Sequence, residues 1–553
     1  MNNLSSKWIK VSEPFPHILL VELARSPVNA ISTEFWKAYG ALFDAISEET
    51  PDVRAVVLSS AFPDIFSAGL DLLEAGEIAK ATADADPEST DAARIALDFK
   101  KQIKPFQEAI TAPERCLFPV IAAVHGMVVG LGVDIISACD IRYAASNTRF
   151  TIKEIDIGLA ADMGTLAYLP KITGNMSFIR EMAYTTQWFP ASKAEQIGLV
   201  SKVVEGGKKE VDAAALELAQ LIVRKSPIAV TGTKRLLSHA RDHSVAENLE
   251  YTSLWNSAML QTKYRPRPNG QNGSKSLSLS LMYYMLSLLG ILSMQLDLSM
   301  FWRAYGALFD SISESRPDIR AVVISSAFQD IFSAGFDLYN AGQIVKGRTE
   351  ANPASDAARI SMTFQKQIEM IQEAIMAPER CTFPVIAAIH GINIGLGVDI
   401  VSACDIRYAA SDSRFTLKQV DIGMAADMGT LAYLPRVMGN LSFVREMAYT
   451  AEWFSASRAE QMGLVSKVVE GGREEVVASA LELAKVIATK SPIAVTGTKR
   501  LLSHGRDHSV AESLQFTTWW NAIMLQTKDF LKRPGSSFLP ARPGDFKFGK
   551  PKL

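Results

Sequence analysis

Cysteine is scarce, at four in 553 residues, and no two of the four form a CxxC pair. A disulfide scaffold is excluded, no paired-thiol motif is present, and a reducing compartment fits the chain. Net charge is also lacking: 57 Lys+Arg stand against 59 Asp+Glu, a formal charge of -2. That balance leaves no basic footprint for nucleic acid or for an anionic membrane surface, so neither partner is expected. The opening residues, MNNLSSKWIKVSEPFPHILLVEL, have no basic stretch leading into an apolar one, and little Arg. Neither a secretory signal nor a mitochondrial transit peptide is expected there. What remains, 48% apolar and 21% charged, is an ordinary globular mix, and the length predicts several domains.

The chain is a tandem duplication. SACDIRYAAS occurs at Ser137–Ser146 and again at Ser402–Ser411, and KSPIAVTGTKRLLSH occurs at Lys225–His239 and again at Lys490–His504. The offset is the same for both blocks. Phe66-Ser67-Ala68-Gly69 recurs at Phe332-Ser333-Ala334-Gly335, with an offset greater by one. One residue has been lost from the second copy between these blocks. A unit that fills nearly half the chain is a whole domain rather than a solenoid repeat. The cysteines follow the repeat, Cys116 and Cys139 answering to Cys381 and Cys404, and read as buried structural thiols.

The match begins at Phe35-Trp36, which recurs as Phe301-Trp302. Upstream, the first copy has two apolar runs, Trp8–Val11 and Ile18–Leu23, that predict a hairpin, and the second copy has nothing like them. Instead YRPRPNGQNGSK, a Pro/Gly/Asn-rich linker, leads into Leu277–Met294, a run without a single charge. This run just reaches the lower limit of length for a membrane span. Its serines dilute it, and a span would set two near-identical domains on opposite faces of one membrane. A non-native joint or an apolar linker on a domain surface is the better reading. Domains are therefore expected at 1–263 and 297–553, with a linker at 264–296.

Within a copy, short apolar runs such as Arg54–Ser59 and Pro119–Val124 predict buried strands, each followed by a Gly-containing loop. Ser177–Ala183, Lys208–Arg224 and Ser226–Gln261 predict helices. Strand, loop and helix alternate, which predicts an α/β domain. Two loops carry small residues after a strand: Phe66-Ser67-Ala68-Gly69-Leu70-Asp71-Leu72, and His125 to Asp134 with Gly126, Gly130 and Gly132. Such loops let backbone N–H groups approach a ligand oxygen, and two of them can furnish an oxyanion hole; read alone, each is a tight strand-to-helix turn. Three carboxylates, Asp134, Glu154 and Asp162, stand in apolar company. Carboxyls there have raised pKa values suited to acid–base work, unless each merely caps a helix or faces solvent.

The paired loops with ACDIRYA after them resemble the enoyl-CoA hydratase/isomerase (crotonase) superfamily. GVDIISACDIRY, KEIDIGLAADMGTLAYLPKITGN and RDHSVAE resemble its dienoyl-CoA isomerase branch. A hydratase has Glu in place of Asp134 and Gly in place of Asp162. The resemblance implies a spiral of ββα turns with C-terminal helices that pack in trimers, hence a homo-oligomer. It implies an acyl thioester oxygen held between the N–H groups of Leu70 and Leu131, where the family has Gly at the second position, and a pocket lined by Ala68, Gly69, Leu70, Asp71 and Leu72. The reaction implied moves a proton from C2 to C6 of a 3,5-dienoyl-CoA, with Glu154 as the C2 base, Asp162 as the C6 donor and Asp134 holding the charge balance. No metal or cofactor is expected beyond the coenzyme A carried by the substrate.

In the second copy Asp399 and Asp427 match Asp134 and Asp162, but Gln419 replaces Glu154, and Phe336 and Leu396 stand at the two N–H positions. Gln cannot take and return a proton, so this copy is expected to bind acyl-CoA or pack in the oligomer without turnover. Rival readings are an enoyl-CoA hydratase and a non-catalytic acyl-CoA-binding subunit. His125 and His390 are expected to pack or hydrogen-bond locally, Asp140 and Asp405 to anchor the turn into the next strand, His239, His243, His504 and His508 to be surface or interface groups, and Arg235, Arg241, Arg500 and Arg506 to lie on a solvated helix face, the alternative being contact with CoA phosphates. The terminal Pro551-Lys552-Leu553 resembles a peroxisomal address, so the peroxisome or the mitochondrion is expected.

Overall fold

The computed structural model describes residues 4–50, 52–74, 101, 103–157, 161, 163–259, 298–316, 318–335, 357–490 and 492–508, with the single positions 512, 516 and 520. The expected linker 264–296, its apolar run, Asp162 and Phe336 lie outside these residues. Among the described residues no helix is long and apolar enough to cross a membrane. The chain forms two compact units, one of Met1–Ser238 with Met438–Thr450, the other of His239–Val437 with Ala451–Leu553.

Among the described residues the first unit has twelve strands: β1 Ile9–Phe15, β2 Ile18–Leu23, β3 Ala30–Ile31, β4 Ala55–Ser60, β5 Ile65–Ser67, β6 Gly69–Leu70, β7 Val120–Val124, β8 Met127–Val129, β9 Ile141–Ala145, β10 Arg149–Thr151, β11 Phe189–Pro190 and β12 Lys202–Val204. One sheet runs β1-β2-β4-β7-β9-β12, a second β11-β10-β8-β5, and β3 pairs with β6. Successive strands go alternately to the two large sheets (β4 then β5, β7 then β8, β9 then β10), which is the spiral of ββα turns expected. The hairpin is there too: β1 and β2 pair antiparallel, Ile9 opposite Leu23, and β2 then pairs parallel with β4. Every residue of β4, β7 and β9 is buried, as unbroken apolar runs in a parallel sheet must be. The amphipathic Lys208–Ile222 helix turns Val211, Ala215, Leu218 and Ile222 inward and packs on β4, β7 and β9.

Among the described residues the second unit repeats the two large sheets, with no counterpart of the hairpin or of the β3–β6 pair: β13 Val322–Ile324, β14 Ile331–Ser333, β15 Val385–Ile389, β16 Ile392–Ile394, β17 Ile406–Ala410, β18 Arg414–Thr416, β19 Phe454–Ser455 and β20 Lys467–Val469. Its sheets are β13-β15-β17-β20 and β14-β16-β18-β19. With no described strand outside it, β13 is an edge, and its Val-Val-Ile is only half-buried where the matching residues of β4 are fully buried.

Candidate active site

The first unit fastens its first loop through a buried polar knot. Asn29, at φ +49°, donates from Nδ2 to the Leu23 carbonyl at 3.1 Å, Ser60 Oγ at 2.9 Å and the Phe66 carbonyl at 3.0 Å. Ser67 Oγ donates to the Asn29 carbonyl at 2.9 Å and accepts from the Gly69 N–H at 3.1 Å. The Asp71 N–H donates to the Ile31 carbonyl at 3.0 Å. Because alternate N–H groups of a strand face opposite sides, the Leu70 N–H points away from β3.

The second loop closes on the first. A Cβ on Gly69 would meet the Val129 carbonyl oxygen at 2.8 Å and the Leu131 nitrogen at 3.5 Å, so only glycine allows this approach. Gly130, at φ +47°, caps the Leu131–Ser137 helix. The Leu131 N–H belongs to the first helical turn, where no intrahelical acceptor exists. A Cβ on Gly130 would lie 3.0 Å from Glu154 Oε1, so the Glu154 carboxyl rests against the turn that presents Leu131. Glu154 itself opens a short 3-10 helix, Glu154–Ile157.

Asp134 stands one turn further along the helix, fully buried, with Oδ1 accepting from the Thr165 N–H at 2.5 Å. Burial first, and the charge of Glu154 second, push its carboxyl up to about 7. Asp71 is the opposite case. The Arg25 guanidinium, 2.6 Å away, holds it below the usual carboxylate range, and its Oδ1 accepts from the N–H groups of Leu73 and Glu74. Asp71 therefore clamps the chain after Leu70, while Leu72 is exposed at the rim and Ala68 is half-buried.

The second unit draws Asp399, Gln419 and Asp427 together. Gly395, at φ +47°, turns into the Leu396–Ser402 helix, and its Cβ position lies 3.4 Å from Gln419 Nε2. Asp399 accepts from the Thr430 N–H, as Asp134 does from Thr165, and is likewise pushed up to about 7, by burial first, with Asp427 contributing. Asp427 is pushed up to about 6 by burial. Its stretch is pinned from two sides. Asn256 donates to the Ala425 carbonyl at 2.9 Å, and Gln372 Nε2 donates to the carbonyls of Asp427 at 2.6 Å and Leu249 at 3.2 Å.

Sequence reasoning missed Thr165, Asn29, Asn256 and Gln372. Of these, Thr165 had a signal, since Gly164-Thr165 begins a helix whose first N–H groups seek a carboxylate. The other expectations can be placed directly. His125 Nε2 lies 2.9 Å from the Phe62 carbonyl and His390 Nε2 2.7 Å from that of Phe328. Asp140 and Asp405 accept from the Val120 and Val385 N–H groups, which tie them to the start of the preceding strands, β7 and β15. His239 stacks on His243 and His504 on His508. Arg506 pairs with Glu379 at 2.8 Å, and Arg500 lies over Trp520.

The Enoyl-CoA hydratase/isomerase family profile matches residues 16–268 and again 305–546. The mitochondrial Delta(3,5)-Delta(2,4)-dienoyl-CoA isomerase of Homo sapiens is 44% identical over 261 residues, 47% of this chain and 77% of the human protein. The peroxisomal protein of that name from Arabidopsis thaliana is 42% identical over 235 residues, 42% of this chain and 82% of its own length. Among solved structures, an enoyl-CoA hydratase from Bacillus anthracis aligns with a TM-score of 0.41 at 25% identity, covering 46% of this chain and 92% of its own. With the family profile matched twice, over most of its length, the chain belongs to the enoyl-CoA hydratase/isomerase family, as two tandem crotonase-like domains.

Proposed function

We propose that this chain is a dienoyl-CoA isomerase of fatty-acid β-oxidation, converting a 3,5-dienoyl-CoA to the 2,4-isomer in its first copy. The observation that carries the reading is the Glu154 carboxyl resting against Gly130, beside the Leu131 N–H and the raised Asp134. A thioester carbonyl accepting from the Leu70 and Leu131 N–H groups gains stabilisation as negative charge moves onto its oxygen, which acidifies C2. Glu154 takes the C2 proton, and the double bonds shift one position toward the thioester. Asp162 delivers a proton at C6. Asp134, raised to about 7 and so partly protonated at neutral pH, lowers the charge the pocket must hold. The reaction moves protons only and requires neither a redox cofactor nor a metal; coenzyme A enters as part of the substrate. The relatives of this name carry mitochondrial and peroxisomal addresses, and either organelle suits the pathway.

The second copy has a different role. With Gln419 against Gly395 it has no C2 base, and it binds acyl-CoA without turnover. The deciding experiment supplies the purified chain with a 3,5-dienoyl-CoA and, separately, a 2-enoyl-CoA. The proposal expects the conjugated 2,4-dienoyl thioester from the first and no hydration of the second. Hydration without isomerisation refutes it and favours a hydratase.

A further inference from the structure

The second copy has lost one proton-handling group and kept the other. Gln419 stands in the place of Glu154, against the Gly395 turn. Asp427 survives, 3% exposed, and its Oδ2 has no hydrogen-bond partner among the described residues. Gln419 Oε1 and Asp399 Oδ2 are likewise buried without one. A pocket kept only for packing would be more stable with apolar side chains at these positions. Bare polar atoms gathered in one place are accounted for by something that enters and partners them.

The frame around them is intact. Gln372 Nε2 donates to the Asp427 carbonyl at 2.6 Å, and Asn256 to the Ala425 carbonyl at 2.9 Å. The two loops still close on each other. A Cβ on Gly335, at φ +89°, would meet the Ile394 carbonyl oxygen at 3.1 Å, as one on Gly69 would meet that of Val129. Leu396 opens its helix directly after Gly395, so its N–H has no intrahelical acceptor. The pocket therefore keeps a donor for a thioester oxygen and a carboxyl, and lacks only the base at the C2 end.

What such a pocket can do depends on which isomer it holds. In a 3,5-dienoyl-CoA the first proton to leave is at C2 and C6 is vinylic, so nothing moves without a C2 base. In a 2,4-dienoyl-CoA, C6 is saturated and joined through both double bonds to the thioester carbonyl. Its proton is acidified as a C2 proton is, because the charge passes to the same oxygen.

We propose that the second copy, which on the reading above is a dienoyl-CoA pocket, performs half of the reaction: Asp427 removes a proton from C6 of a bound 2,4-dienoyl-CoA and returns one to the same carbon. As the carboxylate takes the proton, the C–H electron pair enters the conjugated chain and negative charge collects on the thioester oxygen beside the Leu396 N–H. The carboxylic acid trades its proton with solvent. The pair then flows back, C6 takes a proton from Asp427, and ester and protein are restored. Gln419 has no proton to give to C2, so the double bonds stay at 2,4 and the net change is exchange of C6 hydrogen with water. Burial pushes Asp427 only up to about 6, which leaves it mostly carboxylate at neutral pH, the form this step requires.

The test uses the full chain carrying Glu154→Gln and Asp162→Asn, which silences the first copy. It is incubated in deuterated buffer with a 2,4-dienoyl-CoA saturated at C6, and the recovered ester is read by mass spectrometry and proton NMR. Deuterium should enter at C6 at least about a hundredfold faster than without protein, with C2 and the double bonds untouched. The rate should rise with pH through about 6 and level off above, because the carboxylate is the base. Adding Asp427→Asn should abolish labelling while calorimetry still finds the ester bound. Adding Gln419→Glu instead should bring label to C2 as well. A chain that binds the ester without labelling C6 overturns the proposal. So does label that survives Asp427→Asn, a rate flat through pH 6, or label at C2 with Gln419 in place. The wild type, given a 3,5-dienoyl-CoA in parallel, separates the two readings. Isomerisation there without C6 exchange in the silenced chain sinks this inference alone, whereas a wild type that does not isomerise sinks the dienoyl-CoA reading on which it rests.

Discussion

Replacing Asp134 with Asn should make the stability of the first unit less sensitive to pH, by an amount the structure sets. The carboxyl is pushed from 3.8 up to about 7, mainly by burial. Between those values the unfolded chain has released a proton that the native chain still holds. The site's contribution to stability is therefore fully present below pH 3.8, falls as pH rises through the window, and is gone above about 7. A shift of about 3 units at 1.36 kcal/mol each is about 4 kcal/mol. The side chain is fully buried, so solvent screening takes little of it. Asn keeps the oxygen that accepts from Thr165 and adds an amide needing acceptors, at a pH-independent cost of about 1–3 kcal/mol. That constant cancels when the variant is compared with wild type at two pH values. The stability difference should move by about 4 kcal/mol in the variant's favour between pH 4 and pH 8. Hydrogen exchange of peptides from β7 reads the first unit apart from the second. A difference that stays flat over this range, or moves only below pH 4, refutes the reasoning. Asp399 is already a natural control: beside Gln419 instead of a glutamate it is still pushed up to about 7. Burial is thus the main cause, and Glu154→Gln should leave most of the pH dependence in place.

Glu154→Gln should lower turnover of a 3,5-dienoyl-CoA by about 10²–10⁴-fold with little change in acyl-CoA affinity, measured by steady-state kinetics and calorimetry. In that background Gln419→Glu should restore measurable turnover from the second copy; continued silence would place its defect in the first loop, for which the described residues show no counterpart of Asn29. Lys234→Met should destabilise the first unit more than Arg445→Met, in denaturant unfolding. Lys234 reaches Asp140 at 2.8 Å and Arg445 only at 3.6 Å. The first should cost about 3–5 kcal/mol and the second about 2 kcal/mol.

Periodic features were legible in the sequence, and encounters between distant segments were not. Ile18–Leu23 and Pro119–Val124 read as strands because an unbroken apolar run bounded by turn residues has few other fates, and both are strands. Apolar company and the family resemblance singled out Asp134 and Glu154; Glu154 lies against Gly130, and its charge adds to the burial that raises Asp134. Asn29 was invisible, since its three acceptors come from segments up to 37 residues away. The fate of Leu441–Thr450 was invisible for another reason. Its sequence is almost that of Met176–Thr185, yet one helix is buried and the other presents Tyr184 to solvent. No local pattern separates two nearly identical helices; only what each meets does.

The position of that helix in the chain also dictates an order of events during synthesis. The first unit is continuous to Ser238 and resumes at Met438, so everything from His239 to Val437 must be added before its last piece exists. At about 5–20 residues per second this takes about 10–40 s. Throughout that interval the nascent first unit carries Asp140 and Arg142 uncovered, with a shaped surface waiting. The first unit therefore completes its fold only after most of the second copy has been synthesised.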